Sequence, residues 1–284
     1  MRWTPGGRSR DLEDRRGSSG GLRGLGRGGM RIGLGGAAVL LVLSLVFKQN
    51  FFAMLGGDGA AGGPVASAPV TGTPEEERQV QFVSFVLDDA QATWEKLFQE
   101  RGQSYQRAKL VLFRDAIQSA CGFAEAATGP FYCPGDQRVY IDLGFYDELQ
   151  QRFGAPGDFA QAYVLAHELG HHVQRLMGTE ARVREAQEGR PEMANEYSVR
   201  LELQADCYAG VWGHETAQRQ VLEAGDVEEG LAAAAAVGDD RIQRMSGQGV
   251  QPDAFTHGSS EQRAGWFKRG LQSGRPEDCD TFQS

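Results

Sequence analysis

The chain of 284 residues is 40% hydrophobic and 24% charged, which suffices for one substantial domain and excludes a wholly disordered polypeptide. Its net charge of −9 is unevenly divided: eight arginines against Asp11, Glu13 and Asp14 give residues 1–31 a net +5, leaving −14 on the remainder. A body that acidic repels phosphate, so nucleic acid is excluded as a partner.

Behind the basic leader, residues 32–47 carry no charge, and apolar character resumes at residues 51–55 after Lys48, Gln49 and Asn50. Sixteen residues are short for a hydrocarbon core of about 30 Å, but snorkelling by Arg31 and Lys48, or inclusion of 51–55, closes the gap. The nearest A-x-A cleavage site, Ala66-Ser67-Ala68, lies far beyond the apolar run. An uncleaved single-pass anchor is therefore expected over 32–55 rather than a cleaved signal peptide. The arginine excess places 1–31 in the cytoplasm and exports the acidic bulk to a periplasmic or extracellular space. Residues 56–74, dominated by Gly, Ala and Pro, read as a flexible linker.

The domain proper is expected over 75–284. Phe82, Phe85, Val86, Trp94, Leu97 and Phe98 recur at helical spacing and predict a long amphipathic helix. Residues 109–113 and 138–143 read as strands, with a Gly- and Cys-containing stretch at 121–135 between them. A short helix is predicted over 145–153, and a longer one from Asp158, a candidate cap, to about residue 177. The charged stretch 178–192 leads into a helix over 193–212. An Ala-rich helical run follows over 227–245, then a Gly-rich turn and a last helix from Ser259-Ser260-Glu261 through Leu271. Helices with one small sheet make an α+β domain, mostly helical.

The chemistry lies in the helix from Asp158, which contains His167-Glu168-Leu169-Gly170-His171. H-E-x-x-H on a helix presents two imidazoles one turn apart on one face, where both bind a single zinc ion. Glu168 lies one residue round from His167, placed to take a proton from a metal-activated water rather than to ligate. His172 sits about 100° round from His171 and is read as a rim or supporting residue, not a ligand. A catalytic zinc takes three protein ligands, and the candidates are His214, His257 and the downstream carboxylates. Glu202 and Asp206 lie one turn apart among Val199, Leu203, Ala205 and Tyr208. Glu202 is therefore the expected third ligand, with Asp206 accepting the ring N–H of one His ligand; Glu196, in a more polar setting, is the weaker alternative.

H-E-L-G-H-H at 167–172 with E-L-Q-A-D-C-Y-A-G at 202–210 resembles the bacterial neutral zinc metallopeptidases of the YpfJ-like family. Further similar runs lie at 121–134, 237–243 and 255–263. The resemblance covers essentially the whole chain, and implies a zincin-like fold of the gluzincin type, one catalytic Zn2+ and peptide-bond hydrolysis. The run Thr256-His257-Gly258 through Arg263 is also similar to a T-H-P…E-R run of membrane metallopeptidases. That likeness implies an oxyanion-stabilising role for His257 and a bracing role for Arg263, although Gly258 stands where those enzymes have proline.

Four cysteines in an exported domain are expected as disulfides. Cys121 and Cys133 bracket one loop and should pair, leaving Cys207 for Cys279. The reading is a membrane-anchored extracytoplasmic zinc endopeptidase acting on protein or peptide substrates. An inert zinc-stabilised scaffold and a non-peptidic zinc hydrolase are the alternatives.

Overall fold

The computed structural model describes residues 1–17, 72–125 and 129–283. The expected anchor over 32–55 and most of the 56–74 linker lie outside these residues. Among the described residues, no helix is long and apolar enough to cross a membrane.

Helix α1 (Pro74–Glu100) opens where Thr73 and Glu76 cap one another, each side chain accepting the other's backbone N–H, with Pro74 at the first helical position. It buries Val80, Val83, Val86, Leu87, Ala90 and Trp94 along one face. Strands β1 (Leu12–Asp14), β2 (Lys109–Phe113), β5 (Phe131–Cys133) and β6 (Arg138–Asp142) form one sheet in the order β1-β2-β6-β5. The β1–β2 and β2–β6 pairs are parallel and β5–β6 is antiparallel. β2 and β6 are the continuous apolar runs that central strands require. Strands β3 (Ala116–Ser119) and β4 (Gly122–Glu125) make a separate hairpin. Neither they nor β5 is predicted, because three or four half-buried residues carry too short an alternation to register.

The leader departs most from expectation. β1 pairs with β2 in the register Leu12↔Leu110, Glu13↔Val111, Asp14↔Leu112. Met1 is buried with its nitrogen 2.8 Å from Asp158 Oδ1, and the Trp3 ring lies tilted against Phe82 with centroids 5.3 Å apart. Three of the leader's arginines are paired with acids: Arg8 and Arg16 with Asp14 and Glu77, Arg15 with Glu13. Residues 1–17 are thus part of the domain, not a separate basic segment. Strands cannot hydrogen-bond across a bilayer core of about 30 Å. The expected topology places residues 1–31 and the domain on opposite faces of a membrane, whereas β1 is hydrogen-bonded to β2 of the domain sheet.

The remaining helices are α2 (Gly144–Gln151), α3 (Asp158–Leu176), α4 (Thr179–Gly189), α5 (Ala194–Gln218), α6 (Asp226–Ala236), α7 (Asp239–Met245) and α8 (Ser260–Ser273). α4 was expected as a connector; it buries only Thr179 and Val183, so its sequence shows little apolar periodicity. The single run expected over 227–245 breaks at Gly238, where a Cβ would lie 2.3 Å from Ser260 N. The start of α8 needs that space. α3 is the central helix, with Phe159 stacked on Trp212 of α5 and Tyr163 edge-on to Phe267 of α8. Disulfides join Cys121 to Cys133 and Cys207 to Cys279, as expected. The first ties the β3–β4 turn to β5, and the second pins the C-terminal tail to α5.

Candidate metal centre

The start of α3 is fixed from outside. Glu229 of α6 accepts the Phe159 N–H at 3.1 Å, and Gly157 precedes it with φ +115°, where a Cβ would lie 2.0 Å from the Glu229 carboxyl. Asp158 does not cap the helix; it holds the Met1 nitrogen. Ten residues on, His167 and His171 stand one turn apart with their Nε2 atoms 3.2 Å from one another. α5 crosses at Gly170, so close that a Cβ there would meet Ala205 O at 2.9 Å. That approach carries Glu202 to the imidazoles: Oε2 is 3.2 Å from His167 Nε2 and Oε1 is 3.3 Å from His171 Nε2. A tetrahedral zinc with ligands at about 2.0–2.1 Å has ligand–ligand edges of about 3.3 Å. The three donors already have that spacing.

The protons argue the same way. His167 Nδ1 donates to Asp206 Oδ1 at 2.8 Å. Gln174 Nε2 donates to the Leu201 carbonyl at 2.6 Å, which fixes its amide and turns Oε1 to His171 Nδ1 at 2.9 Å. Both Nδ1 atoms are therefore donors, and both Nε2 lone pairs face the Glu202 carboxylate. When both rings are neutral, three acceptors converge on one point and need a cation between them, either a metal or the rings' own Nε2 protons. Burial lowers the His167 pKa, but the charge of Asp206 and its hydrogen bonds outweigh this and push it up to about 10. Burial likewise raises Glu202, and the facing imidazoles overcome it and hold its carboxyl well below the ordinary range. This field favours positive charge where the donors meet, and the N2O donor set fits zinc.

Asp206, fully buried, is the hub behind the ligands. Besides His167 it accepts from the Tyr163 hydroxyl and, in a fork, from Arg263 Nε at 2.8 Å and Nη2 at 3.0 Å. Arg263 also donates to the Val237 carbonyl at 3.1 Å. Glu168 is 8% exposed and lines a cleft of about 650 Å³ together with His167, His171, Glu202, His257 and Arg263. Phe131, Phe145, Phe153, Val164 and Ile242 supply its apolar wall.

His257 reaches that cleft from the loop before α8. Asp239 Oδ2 accepts the backbone N–H groups of Thr256, His257 and Gly258, and Oδ1 lies 3.1 Å from His257 Nδ1. This bond raises the His257 pKa, burial opposes it, and the Glu202 charge adds to the rise. Gly258 has φ +94° and donates to Asp239. Proline can do neither, which accounts for the departure from the T-H-P pattern. His214 is bonded to the Leu271 carbonyl at the far end of α8 instead.

His172 is buried outright rather than at the rim. Its Nε2 donates to the Gln106 carbonyl at 2.6 Å, and its Nδ1 accepts from Tyr132 of β5 at 2.9 Å, locking α3 to the edge of the sheet. Sequence reasoning did not single out Tyr163, Gln174, Gln204 or Asp239. The i, i+3 spacing of Gln174 from His171 was the available signal for one of them.

A family model described as "Putative neutral zinc metallopeptidase" matches residues 1–282. The "Uncharacterized protein YpfJ" of Escherichia coli (strain K12) is 48% identical over 286 residues, covering 99% of each chain. The "Uncharacterized protein Rv2575" of Mycobacterium tuberculosis (strain ATCC 25618 / H37Rv) is 42% identical over 204 residues, 68% of this chain and 67% of its own. No solved structure matches.

Proposed function

The chain belongs to the family described as "Putative neutral zinc metallopeptidase", and from this premise we propose that it is a zinc-dependent endopeptidase. The observation that carries the reading is Glu168 beside the convergent donors of His167, His171 and Glu202: a purely structural zinc site does not require a base in an open cleft.

Zinc held by His167, His171 and Glu202 would supply a Lewis acid and lower the pKa of a water toward neutrality. Glu168 takes the proton of the attacking water and delivers it to the leaving amine. Asp206 holds the His167 ring in the tautomer that keeps Nε2 unprotonated. His257, oriented by Asp239, donates to the oxygen on which negative charge develops. β5 is the last strand of its sheet, and Phe131 and Tyr132 line the cleft. An extended peptide pairing with that edge would lay its side chains against the apolar wall.

The two disulfides favour an oxidising compartment outside the cytoplasm, with residues 1–17 on the same side as the cleft. Membrane attachment through residues 32–55 is part of the proposal on the strength of their hydropathy. The experiment is Glu168→Gln, which should retain zinc and fold but lose casein hydrolysis. Equal hydrolysis by wild type and variant would overturn the mechanism, and zinc-replete wild type inert toward a peptide library would favour the scaffold reading.

A further inference from the structure

The two histidines are oriented by unlike partners. His167 is held by a charged acceptor, Asp206, within a cluster that Arg263 neutralises. His171 is held by a chain of neutral amides that ends outside the site. Gln174 Oε1 faces His171 Nδ1 at 2.9 Å, Gln174 Nε2 lies 3.2 Å from Gln204 Oε1, and Gln204 Nε2 donates to the Cys279 carbonyl at 3.0 Å. Gln174 and Cys279 are fully buried and Gln204 is 5% exposed.

The chain has a single direction. A carbonyl only accepts, so Cys279 O requires Gln204 to present its NH2 and leaves Gln204 Oε1 for Gln174. The Leu201 carbonyl makes the same demand on Gln174, whose Oε1 then requires N–H at His171 Nδ1. The Nε2 lone pair is left for the metal. Reversing either amide would set oxygen against oxygen at a carbonyl that now accepts a hydrogen bond.

The Cys279 carbonyl is itself held in place by a covalent bond. Cys279 is disulfide-linked to Cys207, which lies one turn from Gln204 on α5. Thr281 Oγ1, bonded to the Arg200 carbonyl at 2.7 Å, continues the tail along the same helix.

We propose that Gln174 and Gln204 are positioning residues through which the Cys207–Cys279 disulfide sets the tautomer and orientation of His171, and hence metal affinity. The proposal rests on the metal reading of the site but not on peptidase activity. Outer hydrogen-bond partners of metal-bound histidines are worth about 10–100-fold in affinity.

The test is zinc affinity, measured by competition with a chromophoric chelator on the full chain, with far-UV circular dichroism to confirm folding. Gln174→Leu should weaken zinc by about 10–100-fold, whereas Gln174→Glu, which keeps an acceptor at His171 but turns its second oxygen against the Leu201 carbonyl and Gln204 Oε1, should restore only part of the loss. Gln204→Leu and the paired Cys207→Ser/Cys279→Ser variant should each weaken zinc by less. Combined, they should weaken it no further than the larger of the two, because they interrupt one chain in series. Cys121→Ser/Cys133→Ser should leave affinity unchanged. In the cobalt-substituted protein, Gln174→Leu should shift the d–d spectrum. Wild-type affinity in Gln174→Leu, additive losses in the combined variant, or an equal loss on removing Cys121–Cys133 would each overturn the coupling. A wild-type chain that binds no zinc would instead overturn the metallopeptidase reading itself. Should Gln174→Leu fail to fold, the series comparison of Gln204→Leu with the cysteine pair still decides.

Discussion

Arg263 is a cation with 4% exposure behind two of the candidate metal ligands, and its replacement by methionine tests how the site is held together. The fork to Asp206, at 2.8 and 3.0 Å, places the two opposite charges in direct contact away from water. Arg263→Met keeps the volume and removes the charge, leaving Asp206 at 0% exposure with the His167 N–H and the Tyr163 hydroxyl as donors. Stripping one partner from a buried pair costs about 3–5 kcal/mol. The two remaining donors put the expected loss toward the low end, about 3 kcal/mol, out of a total of roughly 5–15 for a domain. Arg263→Lys should recover little, because one ammonium cannot make two parallel bonds to a carboxylate. The assay is urea unfolding of the zinc-free protein, read as a lowered midpoint at unchanged slope. Because both substitutions act on one pair, Asp206→Asn combined with Arg263→Met should cost clearly less than the two single losses together. A single loss below about 1 kcal/mol, or strict additivity, would refute the claim that this buried pair braces the centre.

Cysteines introduced singly at Arg10 and Lys268, both exposed, should be labelled by a membrane-impermeant thiol reagent from the same side of the membrane; labelling of one without the other would dissolve the β1–β2 pairing. The raised pKa of His257 predicts that its bond to Asp239 contributes fully below about pH 6.5 and is lost as pH climbs through the raised value. Asp239→Asn should accordingly move the His257 Cε1–H titration downward, and an unmoved curve would detach the pair. Gly210→Ala would set a Cβ 2.1 Å from the Phe267 carbonyl on α8. That overpacking should cost about 1–3 kcal/mol despite alanine's better helix propensity, whereas a neutral or raised urea midpoint would mean that α8 yields freely.

Much of the centre was legible because it is local. His167, Glu168 and His171 need only the pitch of one helix, and Glu202 with Asp206 only the pitch of another, with apolar neighbours marking the acids as buried. The helices α1 and α3 announced themselves by periodicity and α8 by its serine start, Cys121–Cys133 by the loop it brackets and Cys207–Cys279 by elimination. What sequence could not show depends on partners far along the chain. Leu12–Asp14 is a strand only because Leu110–Leu112 offers its edge, and three residues have no pattern of their own. Nor does the sequence show that Arg8, Arg15 and Arg16 meet Asp14, Glu77 and Glu13 in space. Gln174 and Gln204 carry no charge and break no periodicity; they matter because α3, α5 and the Cys279 tail meet at hydrogen-bonding distance. Helical pitch placed the candidate ligands, and only long-range packing decided what holds them and where the first strand of the chain pairs.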